Sequence, residues 1–167
     1  MMVSEDLLKN NDVLTSFPTH RMFRHYYEYY INFHQEYTSY MCMVDIDNFK
    51  VINDSYGHNT GDLAIKLTAE RLISLLEDED YVCRYGGDEF IILFLNQSKE
   101  EIINKMNSLI EMTREPVVLN DYQFVMTYSI GIAAINRGIE YNEAFNKVDQ
   151  VLYKVKEQGK NNIEMVG

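Results

Sequence analysis

The chain is poor in residues that staple, break or anchor a fold. Its 167 residues include two cysteines, two prolines and no tryptophan. Cys42 and Cys83 are too few for a disulfide scaffold and lack the paired spacing of a zinc site, so a reduced, cytoplasmic setting is expected. No apolar run exceeds that of residues 90–95, far short of the roughly 20 residues of a membrane helix. The opening stretch, MMVSEDLLKNND, is acidic where an export signal is basic, so neither export nor anchoring is expected. Positive charge is scarce as well: 15 Lys plus Arg stand against 26 Asp plus Glu, a net charge of −11. Long-range attraction to nucleic acid is excluded on that balance, and no basic stripe exists to track a strand. Any polyanionic ligand must be met locally, by a metal ion or a few lysines. Repeats and Pro/Gly/Ser-rich linkers are missing too, and 46% apolar residues suffice for one folded domain rather than a disordered chain.

What is present reads as mixed helices and strands. Residues 19–37 carry Met22, Phe23, Tyr26, Tyr27, Tyr30, Phe33 and Tyr37 at spacings of three and four, a helix with a wide aromatic face. That face suits core packing or contact between copies better than base stacking. Residues 40–44 form an apolar run closed by Asp45-Ile46-Asp47, which predicts a buried strand ending in charge. A region with Gly57 and Gly61 leads into a second helix over 62–76. Apolar runs at 81–85 and 90–95 flank Gly86-Gly87-Asp88-Glu89, the pattern of a hairpin. Ser98, with Glu101 three residues on, opens a helix over 98–114 through a capping box. Strand-like pieces at 117–119 and 122–134 surround the Asn120-Asp121 turn, and a last helix spans 141–157 before Gly159. This order predicts an α+β sandwich of one sheet covered by helices.

Two acidic clusters, Asp45/Asp47 and Asp88/Glu89, stand where apolar strands stop. If those strands are neighbours, the carboxylates converge and raise one another's pKa unless a hard divalent cation neutralises them. Taken singly, either cluster reads more readily as solvated strand ends and an ordinary turn.

The stretch Arg84-Tyr85-Gly86-Gly87-Asp88-Glu89-Phe90 resembles the signature of the GGDEF family of diguanylate cyclases letter for letter. Upstream, Asp45-Ile46-Asp47-Asn48-Phe49-Lys50-Val51-Ile52-Asn53-Asp54 and Gly57-His58-Asn59-Thr60-Gly61-Asp62 are similar to the family's D-x-D-x-F-K-x-x-N-D and G-H-x-x-G-D blocks. Downstream, residues 149–161 resemble its closing D-x-A-L-Y-x-A-K-x-x-G-R-N. The resemblance spans about residues 12–165, and implies a lead-in over 1–11 followed by a catalytic domain over 12–167.

This resemblance implies a palm-like, ferredoxin-like core of nucleotidyl-cyclase type, with a mostly antiparallel sheet, joining two GTP into cyclic di-GMP with release of two pyrophosphates. It implies Mg²⁺ or Mn²⁺, two ions per half-site, held by Asp45, Asp88, Glu89 and the main-chain carbonyl of Ile46. Glu89 and Lys50 are the further catalytic candidates, Glu89 in deprotonating the attacking 3′-hydroxyl and Lys50 at phosphate or the metal-bound carboxylates. Asn53 and Asp62 match the guanine-binding positions, where a carboxylate accepts both donors of the guanine edge. Gly86 and Gly87 let the hairpin backbone approach substrate, and Phe49 and His58 belong to the nucleotide-binding blocks, His58 as a loop residue rather than a base. Lys156 and Lys160 fall at the phosphate positions, with lysine at 160 where arginine is commoner. His20, His25 and His34 receive no functional role.

The chain departs from the family pattern in two places. The inhibitory product motif R-x-x-D would end at Asp80, but Glu77 occupies its arginine position, so feedback there is not expected. The block at 12–21 is similar to D-x-L-T-G-L-x-N-R-R with Ser16, Phe17, Thr19 and His20 substituted. The resemblance also implies a homodimer for turnover, since each half-site holds one GTP, and a sensory or dimerising domain outside this chain. The aromatic first helix is one candidate contact face. The alternative reading is a non-catalytic GTP-binding receptor, and neither reading calls for nucleic acid or membrane as a partner.

Overall fold

The computed structural model describes residues 10–33 and 38–167. Helix α1 (His20–Phe33) precedes strand β1 (Ser39–Ile46), helices α2 (Phe49–Tyr56) and α3 (His58–Leu75), and the strand pair β2 (Tyr81–Arg84) and β3 (Glu89–Phe94). Helix α4 (Lys99–Glu111) runs through a single 3₁₀ turn into the hairpin β4 (Val117–Leu119) and β5 (Tyr122–Phe124). Strand β6 (Tyr128–Ile135), helix α5 (Tyr141–Glu157) and strand β7 (Asn162–Val166) complete the chain. The main sheet has the order β2-β3-β1-β6-β7, antiparallel throughout except for the parallel β6–β7 pair. It is an α+β palm-like sandwich. No described helix is long and apolar enough to cross a membrane.

Strand β1 lies in the middle of the sheet and is buried along its whole length, so its side chains feed two cores by alternation. Cys42, Val44 and Ile46 pack with Ile65 and Leu72 of α3 and Ile102 and Met106 of α4. Met41 and Met43 pack on the opposite face with Phe23 and Tyr27 of α1 and Val148 and Leu152 of α5. By the same alternation Asp45 falls on the α1/α5 face. On β3, Glu89 shares parity with Ile91 and Leu93, which belong to that same core.

The structure differs from the sequence expectation in three elements. The interval before residue 62 contains all of α2 and the first turn of α3, because Gly57, at φ +89°, closes one helix and lets the next begin at His58. β7 follows the last helix as a parallel strand, an element that short alternating runs do not announce. The aromatic stripe of α1 is spent inward: Phe23, Tyr27 and Tyr30 are buried, and Tyr26 stacks on Tyr81 at 3.9 Å with an interplanar angle of 8°. Tyr29, exposed on α1, is not part of that stripe; the Phe33 side chain and Tyr37 lie outside the described residues.

The block at 12–19 folds as a tight loop against the edge of the sheet. Asn11 and Pro18 bridge across it, and Thr19 bridges to Arg84 at the end of β2. The Asp12 carboxylate closes the loop by accepting from the Thr15 amide at 2.8 Å and hydroxyl at 2.7 Å. Ser16, where the family pattern has glycine, sits at φ +62°. A β-carbon in that left-handed region is strained, so Ser16→Gly is expected to raise the unfolding free energy by about 0.5–1 kcal/mol. Urea unfolding of the two proteins checks it; a loss of stability would show that the loop carries no strain.

Candidate functional site

The carboxylates meet because antiparallel pairing places Asp45 at the end of β1 directly opposite Glu89 at the start of β3. Ile46 then donates its N–H to the Asp88 carbonyl at 3.2 Å, which locks the Gly-Gly-Asp turn onto the end of the central strand. Asp45 is 5% exposed and its Oδ2 is ion-paired with the ammonium of Lys156, near the end of α5. Burial, and then the neighbouring Asp88 carboxyl, push the Asp45 pKa up to about 7 despite that lysine. Glu89 is raised too, by burial first and then by the charge of Asp45. Burial by itself would lower the Lys156 pKa, but its bond to Asp45 and the surrounding carboxylates raise it.

The donor set fits a hard cation. Oδ1 of Asp45 is buried without a hydrogen-bond partner, a costly state for a carboxylate oxygen that a metal ion would relieve. Among the described residues no three acidic or imidazole side chains close a cage of their own, so a cation here would draw part of its shell from water or a ligand's oxygens. Asp88 is half-buried on the turn rather than exposed, and Gly87 leaves open space around its α-carbon. A β-carbon at Gly86 would lie 3.2 Å from Glu89 Oε2, so the glycine makes room for that carboxylate as well as for a ligand.

The second group of predicted residues gathers at the α2–α3 junction. Asn53 packs so closely on α3 that a β-carbon at Gly61 would stand 1.8 Å from its Oδ1 and 3.2 Å from the Phe49 ring. That amide oxygen is buried and unpartnered. Asp62 is exposed one residue further along α3, and His58 is exposed at the helix start. Lys50 is exposed in the first turn of α2, and among the described residues it pairs with none of the site's carboxylates. Lys160, held at φ +64° in the turn after α5, donates to Asn48 Oδ1 at 2.7 Å and so reaches the rim of the β1–α2 loop.

Two residues outside the predicted set hold this site together. Asp47, counted with the acidic cluster from sequence, is a structural anchor: its buried carboxylate accepts from Ser129 Oγ at 2.6 Å, Thr127 Oγ1 at 2.8 Å and the Asn161 amide at 3.0 Å. It thereby ties β1 to β6 and to the Lys160 turn. Arg84 donates to the Gly86 and Gly87 carbonyls at 3.1 and 2.8 Å and pairs with Asp12 at 3.0 Å, clamping the hairpin turn to the 12–19 loop. An arginine just ahead of two turn glycines was the available signal for the second; the first has none, because its partners are far along the chain.

At the expected inhibitory motif, the Asp80 side chain is 0% exposed. Its oxygens accept from the Glu77 amide at 2.9 Å and from the Gln97 amide, and Lys105 of α4 lies 3.4 Å from both Asp80 and Glu77. The acidic pair is satisfied from within the chain.

The site is thus a palm-like sheet whose central strands end in paired carboxylates beside a lysine. The profile of the diguanylate cyclase GGDEF domain matches residues 9–162, and the chain belongs to that family. It is 35% identical over 128 residues to diguanylate cyclase DosC of Escherichia coli K12, covering 75% of this chain and 28% of that protein. It is 38% identical over 126 residues to cyclic di-GMP phosphodiesterase NbdA of Pseudomonas aeruginosa, covering 74% of this chain and 16% of that protein. The chain thus spans about a quarter or less of these relatives. The isolated GGDEF domain of TpbB (YfiN) from Pseudomonas aeruginosa superposes with a TM-score of 0.87 at 26% identity, over 94% of both chains. The GGDEF domain of DgcB from Caulobacter crescentus, solved with c-di-GMP, shares the fold with a TM-score of 0.88 at 24% identity, over 93% of this chain and 95% of that one.

Asp47→Ala would leave two hydroxyls and an amide without their acceptor, and is expected to cost about 3 kcal/mol or more. Thermal and urea unfolding measure the loss; a change below about 1 kcal/mol would remove Asp47 from the anchoring role.

Proposed function

We propose that this domain is a metal-dependent diguanylate cyclase that condenses two GTP into cyclic di-GMP and two pyrophosphates. The observation that carries the reading is the buried Asp45 facing Glu89 beside Asp88, with one carboxylate oxygen unpartnered, on a GGDEF hairpin that retains both glycines. The catalytic unit is residues 12–167, with 1–11 as its lead-in. Asp45, Asp88, Glu89 and the Ile46 carbonyl would hold Mg²⁺ or Mn²⁺, two ions per half-site. When bound, such ions acidify the attacking hydroxyl and absorb charge on the α-phosphate.

In each of two condensations the 3′-oxygen of one GTP bonds to the α-phosphorus of the other, the bond to pyrophosphate breaks, and the hydroxyl proton leaves. Glu89, its pKa already raised by burial, is suited to receive that proton. Asn53 and Asp62 select guanine; Asp62 accepts from N1–H and the 2-amino group, donors that adenine does not present together. Lys156 and Lys160 meet the β- and γ-phosphates as point charges, and exposed Lys50 serves phosphate rather than the carboxylates. Phe49 and His58 shape the nucleotide cleft. Each domain holds one GTP, so turnover requires a second copy facing the first. Product feedback through Glu77 and Asp80 is absent, because Lys105 and Gln97 already occupy Asp80 and Glu77 adds charge of the product's own sign.

The direct test is incubation of concentrated protein with GTP and Mg²⁺ and mass analysis of the nucleotides. Cyclic di-GMP is expected from the wild type, with an initial rate unchanged by added product. Asp88→Ala is expected to lose at least a hundredfold in rate. Binding of GTP without product, even after fusion of a dimerising helix ahead of Asp12, would instead establish the non-catalytic receptor.

Gly61→Ala tests base recognition through Asn53. Overpacking of about 1–3 kcal/mol is offset in part by up to about 1 kcal/mol of helix propensity, so a modest loss of stability is expected, while expulsion of the Asn53 amide weakens GTP binding about tenfold or more in the folded protein. Calorimetric titration reads it, and unchanged affinity would take Asn53 out of the pocket.

A further inference from the structure

The proposed reaction asks two things of neighbouring groups that the structure shows bonded to each other. Asp45 is to hold a divalent cation and Lys156 is to meet substrate phosphates, yet the Lys156 ammonium is ion-paired with Asp45 Oδ2. An ammonium on that oxygen and a divalent cation on the same carboxylate repel, so each weakens the hold of the other. We infer that Lys156 is a displaceable internal counter-ion, which occupies Asp45 in the metal-free chain and passes to the substrate's phosphates when the cation arrives. This inference rests on the cyclase reading and adds a resting state to it.

Three features make the exchange physically workable. The first is the need for a cation at all times: Asp45 is 5% exposed, with the charges of Asp88 and Glu89 around it and that of Asp149 acting on Glu89 in turn. A buried carboxylate in such company stays ionised only when paired. The second is the contrast in mobility. Asp45 is held in the central strand with its side chain 8% exposed, whereas Lys156 stands next to the last residue of α5, its side chain 34% exposed on a four-carbon stem. The lysine has room to swing and the aspartate does not.

The third feature is that the two oxygens of Asp45 are used unequally. Lys156 takes Oδ2, while Oδ1 is buried and unpartnered. A cation can therefore engage Oδ1 before the ammonium leaves Oδ2, and the carboxylate never passes through an uncompensated state. The freed ammonium, still facing Glu89 and Asp88, is then driven by the new cation toward the nearest anionic partner, a triphosphate. The device makes a bare ion a poor ligand and a metal-bound triphosphate a good one, since the latter supplies both the incoming cation and the new home for the lysine.

The test is a titration of Mn²⁺ without nucleotide, followed by the electron paramagnetic resonance signal of the free ion, on the wild type, Lys156→Met and the double variant Lys156→Met/Asp45→Asn. Removing the resident ammonium is expected to tighten Mn²⁺ at least tenfold, and removing Asp45 as well is expected to cancel that gain. A companion calorimetric titration with magnesium tripolyphosphate is expected to move the other way, weakening at least fivefold in Lys156→Met. Lys156→Gln, which keeps a polar end, goes through both titrations so that the result does not depend on one variant folding. Equal Mn²⁺ affinity with and without the ammonium, a gain that survives Asp45→Asn, or unchanged tripolyphosphate binding would each overturn the exchange. Failure of the cyclase reading has a separate signature, an absence of cyclic di-GMP from wild-type protein that still shows the metal behaviour just described.

Discussion

The structure is organised around a carboxylate buried at the end of its central strand. Charge at that depth is tolerated only with compensation, which α5 supplies while the neighbouring turn and strand add negative charge. Pairing of β1 with β3 brings Glu89 opposite, the Gly-Gly turn brings Asp88 alongside, and α5 lays Lys156 across the top. The single lysine leaves a local excess of negative charge. That excess is unfavourable for folding, and under the proposed function a divalent cation with its phosphates would relieve it.

Rigidity around this centre comes from polar ties between loops rather than from the apolar cores. Asp47 joins β1, β6 and the turn before β7, and Lys160 reaches back to Asn48 across the same gap. On the other side Arg84 joins the Gly-Gly turn to Asp12. The two cores beneath fix where the strands end; these ties fix how the loops stand above them. The Arg84 tie also places the 12–19 loop one side chain away from the β2–β3 hairpin turn, so displacement of that loop would be felt at the glycines.

At the position of the expected product-inhibition motif, Asp80 is part of the fold. With Glu77 at the arginine position, Lys105 from α4 supplies the cation and Gln97 the remaining donor to Asp80. Asp80 is thereby enclosed by its own chain and forms a local link between α4 and the start of β2.

Much was legible in the sequence because the residues concerned act through local rules. The hairpin around Gly86 and Gly87, the Ser98 capping box, the alternating and threefold apolar spacings and the acidic strand ends all declare themselves within a few positions. Family resemblance then named Asp45, Asp88, Glu89, Asn53 and Asp62 as one set. Tertiary structure decided what depends on partners far apart in the chain. It turned the aromatic stripe of α1 inward against Tyr81, made Asp47 an anchor through Ser129 and Asn161, enclosed Asp80 with Lys105, and set Lys156 on Asp45. A carboxylate's role depends on which donors and cations reach it, and those are chosen by strand register and helix packing, not by its neighbours in sequence.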